Sequence, residues 1–251
     1  MKERKTVRRI IRVLLAIIIL GQAVFWWESE MVNHKEKVVQ VMPTPSANTT
    51  KPTDGTTGEP EPTMLPGMDE YVKINDDVIG TISIPDTNID YPVLIGENNE
   101  YYLKHNIYGE EEKAGAIFAD YKYGDTNIKE EFLRHTMIYG HHLRAKTMFT
   151  QITKYKEKEF FDSHPYVYYN NRVQQGKWKV FSVYVVNADN ETIKRNFPDD
   201  KEYVEYLNTI KERSLYPVDV EISADKKVIT LVTCSYETDN SRTVVHAMLE
   251  E

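Results

Sequence analysis

The chain has 251 residues, 41% of them hydrophobic and 28% charged, a balance that excludes wholesale disorder. A formal net charge of −8 argues against a nucleic-acid binder, which needs a basic face to neutralise phosphates. A single cysteine, Cys234, rules out an intrachain disulfide and a cysteine-based zinc cluster.

The charge is uneven. Residues 1–12 hold six basic side chains against Glu3 alone, a net +5, so the rest of the chain carries −13. From Ile10 to Trp27 the sequence is apolar except for Arg12, Gly21 and Gln22. As a helix these 18 residues would span about 27 Å, close to the hydrocarbon core of a bilayer. Arg12 can snorkel at one edge, and Trp26 and Trp27 suit the opposite interface. The competing reading is a cleaved signal peptide, but bulky Phe25-Trp26-Trp27 stands where small residues would be needed. Residues 1–9 then form a cytoplasmic tail, 10–27 a single-pass anchor in the cell membrane, and the body of the protein lies on the extracellular face.

Residues 28–67 read as a stalk. Its 42–67 part holds six of the 11 prolines and seven threonines without hydrophobic periodicity, the composition of an extended, partly polyproline segment. All 17 tyrosines occur at Tyr71 or later, so one packed domain is expected over 68–251.

Within that domain short β-rich runs dominate. In chain order they are Val78–Ile84, Tyr91–Ile95, Gly115–Ala119, Thr136–Gly140, Pro165–Tyr169, Lys177–Asn187, Val218–Ile222, Lys227–Cys234 and Arg242–Leu249. A helix is predicted over about 146–161 from Met148, Ile152 and Tyr155, and another after Pro198-Asp199-Asp200 that buries Tyr203, Leu207 and Ile210. The expected architecture is a mostly β barrel with peripheral helices.

Cys234 ends the run Val228–Cys234, and alternation puts it on one face with Val228, Thr230 and Val232. Alone it reads equally as a buried apolar cysteine. Seven residues later Arg242 opens the next strand, so a hairpin would set the thiol and the guanidinium side by side at its mouth. Such a pair favours the thiolate and offers donors to an oxyanion. The other reading of Arg242 is a surface ion pair with Glu237 or Asp239. Among seven histidines, His141 and His142 stand out because they follow an apolar strand where it gives way to a loop. His246 lies inside the last strand and His135 starts one, as core or surface imidazoles would. Metal chelation by His141 and His142 is the rival reading, disfavoured because adjacent extended residues point apart.

These residues resemble a family. Thr230-Leu231-Val232-Thr233-Cys234 followed by Arg242 is similar to the TLxTC…R signature of sortases, the membrane-anchored transpeptidases of Gram-positive bacteria. Tyr139-Gly140-His141-His142 with Met148-Phe149 resembles the histidine motif of their class B. So do Ile89–Val93, Asn99–Leu103, Gly115–Asp120 and His164-Pro165, in order along residues 70–250.

The resemblance implies an eight-stranded sortase barrel with Cys234 as nucleophile, His141 as general acid/base and Arg242 as oxyanion and substrate stabiliser. It implies Asn99, Leu103, Val232 and Thr233 as substrate-binding positions, with no cofactor and no metal. The implied partners are surface proteins bearing a C-terminal, NPxTx-like sorting signal and an amine of a peptidoglycan precursor or cross-bridge. Three alternatives stay open: a class B enzyme that assembles pilins, a papain-like thiol hydrolase, and a non-catalytic surface binding module. Papain-like enzymes place Cys before His, the reverse of the order here.

Overall fold

Eight β-strands close on one another in the computed structural model of the protein, which describes residues 63–189, 193–234 and 240–250. They are β1 (Val78–Ser83), β2 (Asp90–Leu94), β3 (Ile117–Ala119), β4 (His135–Tyr139), β5 (Tyr166–Asn171), β6 (Lys177–Asn187), β7 (Val228–Cys234) and β8 (Ser241–Leu249). The order around the barrel is β1-β2-β3-β4-β7-β8-β6-β5, with β5 returning to β1. Two pairs are parallel, β2 with β3 and β4 with β7, and the others antiparallel.

The barrel is filled by Ile82, Val93, Ile117, Ile138, Leu231 and Val245 among others, all 1% exposed or less. β7 is buried along its whole length except at Cys234, because its outer face is covered as well. The cover is α3 (Asp200–Glu212), which packs Tyr203, Leu207 and Ile210 on Val228, Val244 and Met248. Those three positions recur at helical spacing, and Asp199 caps the helix by accepting a hydrogen bond from the Glu202 N–H at 2.8 Å. Two shorter helices complete the domain, α1 (Met68–Ile74) and α2 (Lys158–Ser163).

Two expectations are corrected. Val218–Ile222 is not a strand. Val218, Val220 and Ile222 do turn apolar side chains onto the α3 cluster, but the closed barrel offers them no free edge to pair with. The helix expected over 146–161 is instead a 3₁₀ run, Phe149–Lys156, followed by α2. Thr150 and Thr153 bond their hydroxyls to the carbonyls three residues back, at 2.7 and 2.8 Å, which tightens the turns. Extended Glu157 then separates the two pieces.

Residues 10–27, the expected anchor, lie outside the described residues, as does the stalk up to residue 62. Among the described residues no helix is long and apolar enough to cross a membrane.

Candidate active site

β7 and β8 form the expected hairpin, and Cys234 stands directly opposite Arg242. Cross-strand partners project from the same side of the sheet, so thiol and guanidinium share a face. That face is the outer one, shared with Val228 and Val244 under α3. Cys234 is partly exposed, the first residue of β7 to reach the surface. The Arg242 guanidinium donates to the Ser241 carbonyl at 2.9 Å. Glu237 and Asp239, its alternative partners, lie outside the described residues.

The histidines arrive from the other side of β7. β4 runs parallel to it, with Tyr139 paired to Val232. Parallel strands advance in step, so two residues further on His141 comes level with Cys234. The junction is fastened twice, by Gly140 N–H to the Val232 carbonyl at 3.2 Å and by the Thr233 hydroxyl to the Gly140 carbonyl at 2.8 Å. Position 140 has no room for a side chain, since a Cβ would lie 2.4 Å from the Ile117 Cδ1 and 2.7 Å from the Phe149 ring.

The two imidazoles take separate partners. His141 Nε2 lies 2.8 Å from the Leu103 carbonyl, and His142 Nδ1 lies 2.9 Å from the Cys234 carbonyl. A carbonyl only accepts, so His141 must carry a proton on Nε2, which leaves Nδ1 for proton transfer. The role of Leu103 through its main chain was invisible in the sequence.

The four positions tied by resemblance to peptide binding fall into two groups. Asn99 and Leu103 sit in or beside the 3₁₀ turn Tyr101–Leu103, next to His141. Val232 and Thr233 are 5% and 2% exposed, so neither side chain presents a surface to a peptide. Their part is to hold Cys234 and Gly140 in register.

Sequence reasoning missed a second polar system. Asp120, at the end of β3, is fully buried and bonds Asn99, Tyr139 and Arg195. Burial opposes its charge, but the Arg195 guanidinium, the Lys122 N–H and the Asn99 amide outweigh that and hold the carboxyl below the usual range. The signal was present, a lone acid closing the apolar run Ala116–Ala119. Beneath α3, His135 and His246 bond the Thr230 hydroxyl from either side, at 2.7 and 2.8 Å, and His246 also meets the Tyr184 hydroxyl at 2.8 Å. Burial pushes the His135 imidazole down to about 4 and that of His246 well below its ordinary value. Both are core residues, not catalysts.

With this geometry in hand, the likeness to known proteins is extensive. The Sortase domain family matches residues 82–250. Sortase B of Listeria monocytogenes is 33% identical over 227 residues, 90% of each chain. A crystal structure from Bacillus anthracis, described as similar to sortase B, is 36% identical with a TM-score of 0.69, covering 76% of this chain and 86% of that one. The X-ray structure of Clostridium perfringens sortase B is 33% identical with a TM-score of 0.67, covering 73% and 99%. A family match over more than half of the chain, with class B relatives that are a third identical and covered over most of their length, means that the chain belongs to the sortase family as a class B cysteine transpeptidase.

Proposed function

We propose that this enzyme cleaves an NPxTx-like sorting signal after Thr and joins the new carboxyl end to an amine of peptidoglycan. The observation that carries the reading is the pairing of Cys234 with Arg242 across β7–β8, with His141 level with Cys234 on the β4 side. The Cys234 sulfur gives its proton to His141 Nδ1 and bonds to the Thr carbonyl carbon, while Arg242 faces the oxygen on which charge develops. The C–N bond to the following residue then breaks as His141 protonates the departing amine. An incoming amine next bonds to the acyl carbon, expels the Cys234 sulfur and returns its proton to His141. The Leu103 carbonyl accepts from His141 Nε2 throughout and keeps the ring oriented with Nδ1 free of that bond.

In this reading Asn99 and Leu103 border the peptide groove, residues 68–251 form the catalytic domain, and residues 10–27 anchor it to the cell membrane above the 28–67 stalk. The composition of those N-terminal segments supports the arrangement.

The deciding experiment incubates the protein with a panel of sorting peptides and an amine and identifies products by mass spectrometry. Transfer product from an NPxTx peptide is expected, with none from Cys234→Ala. Cleavage without transfer at saturating amine would make the enzyme a hydrolase. Comparable product from Cys234→Ala would remove the nucleophile assigned here.

A further inference from the structure

Asp120 gathers groups from its own turn and from three other segments. One carboxylate oxygen accepts from the Lys122 N–H at 3.1 Å. The other takes the Asn99 amide at 3.1 Å, the Tyr139 hydroxyl at 3.0 Å and the Arg195 guanidinium at 2.5 Å. Asn99 also receives the Tyr121 N–H on its own oxygen at 2.9 Å, so its side chain is held at both ends.

These segments meet beside β4, the strand that runs on to His141. Tyr139 is two residues before His141, and Asn99 leads into the turn whose Leu103 carbonyl holds His141. Arg195 comes from the stretch between β6 and α3. β6 ends beside the hairpin mouth, with Val186 opposite Arg242 and Asn187 opposite Ser241. The chain that carries Arg195 therefore starts at one side of the site, and Asn99 belongs to the other.

An ion pair with its carboxylate buried is a poor device for stability alone, because desolvation of that carboxylate cancels much of the attraction. It does supply direction. A guanidinium donates along fixed lines, and a carboxylate with both oxygens engaged accepts in only one orientation.

We propose that Asp120 and Arg195 form a latch that fixes the 193–199 segment against the 97–103 turn and so sets the width of the sorting-peptide groove. Both are positioning residues, since neither touches the reacting atoms. The inference rests on the peptide-binding role proposed above.

The test uses the full-length chain with Arg195→Ala, Arg195→Lys and Asp120→Asn, read by amide hydrogen exchange, steady-state kinetics and the alkylation rate of Cys234. Exchange in Arg195→Ala should rise about tenfold or more in both 97–103 and 193–199. KM for the sorting peptide should rise about tenfold, while kcat and the alkylation rate stay within about threefold. Lysine at 195 should recover part of the KM effect, and Asp120→Asn should resemble Arg195→Ala. A fall in melting temperature with KM unchanged would make the pair merely structural and overturn the latch. Unchanged exchange in 97–103 would overturn it as well, whether or not any peptide turns over. Absence of turnover by the wild-type chain would count against the proposed function instead, and exchange would then decide the latch by itself.

Discussion

The Thr233 hydroxyl donates to the Gly140 carbonyl across the end of the parallel β4–β7 pair, at 2.8 Å and almost out of reach of solvent. One residue beyond each of these lie Cys234 and His141. This bond ties the strand that delivers the sulfur to the strand that delivers the imidazole, one residue before each reacting group.

Replacing Thr233 with Val keeps the shape but leaves the Gly140 carbonyl without that donor. Stability should fall by about 1–2 kcal/mol, the scale of an unsatisfied buried acceptor. Peptide turnover should fall by more than unfolding accounts for at the assay temperature. Urea unfolding and single-turnover acylation check the two parts, and a Val variant with wild-type acylation would show that the tie does not matter to catalysis.

His141→Ala should slow acylation by about 10²–10⁴-fold, the range for loss of a general acid/base. His142→Ala should cost about tenfold or less, because its Nδ1 reaches the Cys234 main chain, where it supports position without transferring protons. Acylation rates of both variants decide it. Equal losses, or a larger one at His142, would reverse the assignment.

Arg242 and Cys234 are register partners, so shortening the side chain leaves the backbone pairing unchanged. Arg242→Lys retains the charge but loses the planar fork, and should lower acylation by about 10²-fold if oriented donation matters. Charge alone would let lysine keep most activity while alanine fails. Near-wild-type acylation in Arg242→Ala would take this residue out of the chemistry.

Acid should weaken the fold from about pH 6.5 downward, as the buried histidines begin to favour the unfolded chain. His135 is held down to about 4 by burial, only partly offset by the Arg195 backbone, and His246 is lowered by burial and by nearby His135 and Arg213. Below the unfolded value of 6.5 the unfolded chain therefore binds more protons, and stability declines as pH falls from about 6.5 toward 4. Each histidine contributes a slope of about 1.4 kcal/mol per pH unit at most. Asp120, lowered below 3.8, adds its loss only at more acid pH. Urea midpoints at pH 7, 6 and 5 should fall in sequence, and His135→Gln should flatten the decline. A midpoint constant from pH 7 to 5 would contradict the buried neutral network.

What could be read in advance followed the reach of each signal. Period-two alternation along β7 located Cys234 on its face, and the short separation to Arg242 implied the hairpin. Helical spacing of Tyr203, Leu207 and Ile210 located α3. Alternation in Val218–Ile222 misled, because apolar side chains packing under a helix alternate whether or not the backbone has a partner. The Leu103 carbonyl at His141 and the four groups around Asp120 could not be read at all. Main-chain acceptors carry no residue signature, and the Asp120–Arg195 pair is separated by 75 positions.

The position of β7 within the barrel constrains how a peptide can be recognised. Its main chain is fully committed, to β4 on one side and β8 on the other, up to Tyr139 opposite Val232 and Arg242 opposite Cys234. Among the described residues a peptide arriving at Cys234 meets no unpaired strand to extend, which argues against docking by strand addition there. It must lie across the strand ends, held by side chains and loop main chain. Sequence preference would then come from the surfaces beside the thiol, and changes to those loops could redirect the choice of peptide while the barrel and its reacting groups stay as they are.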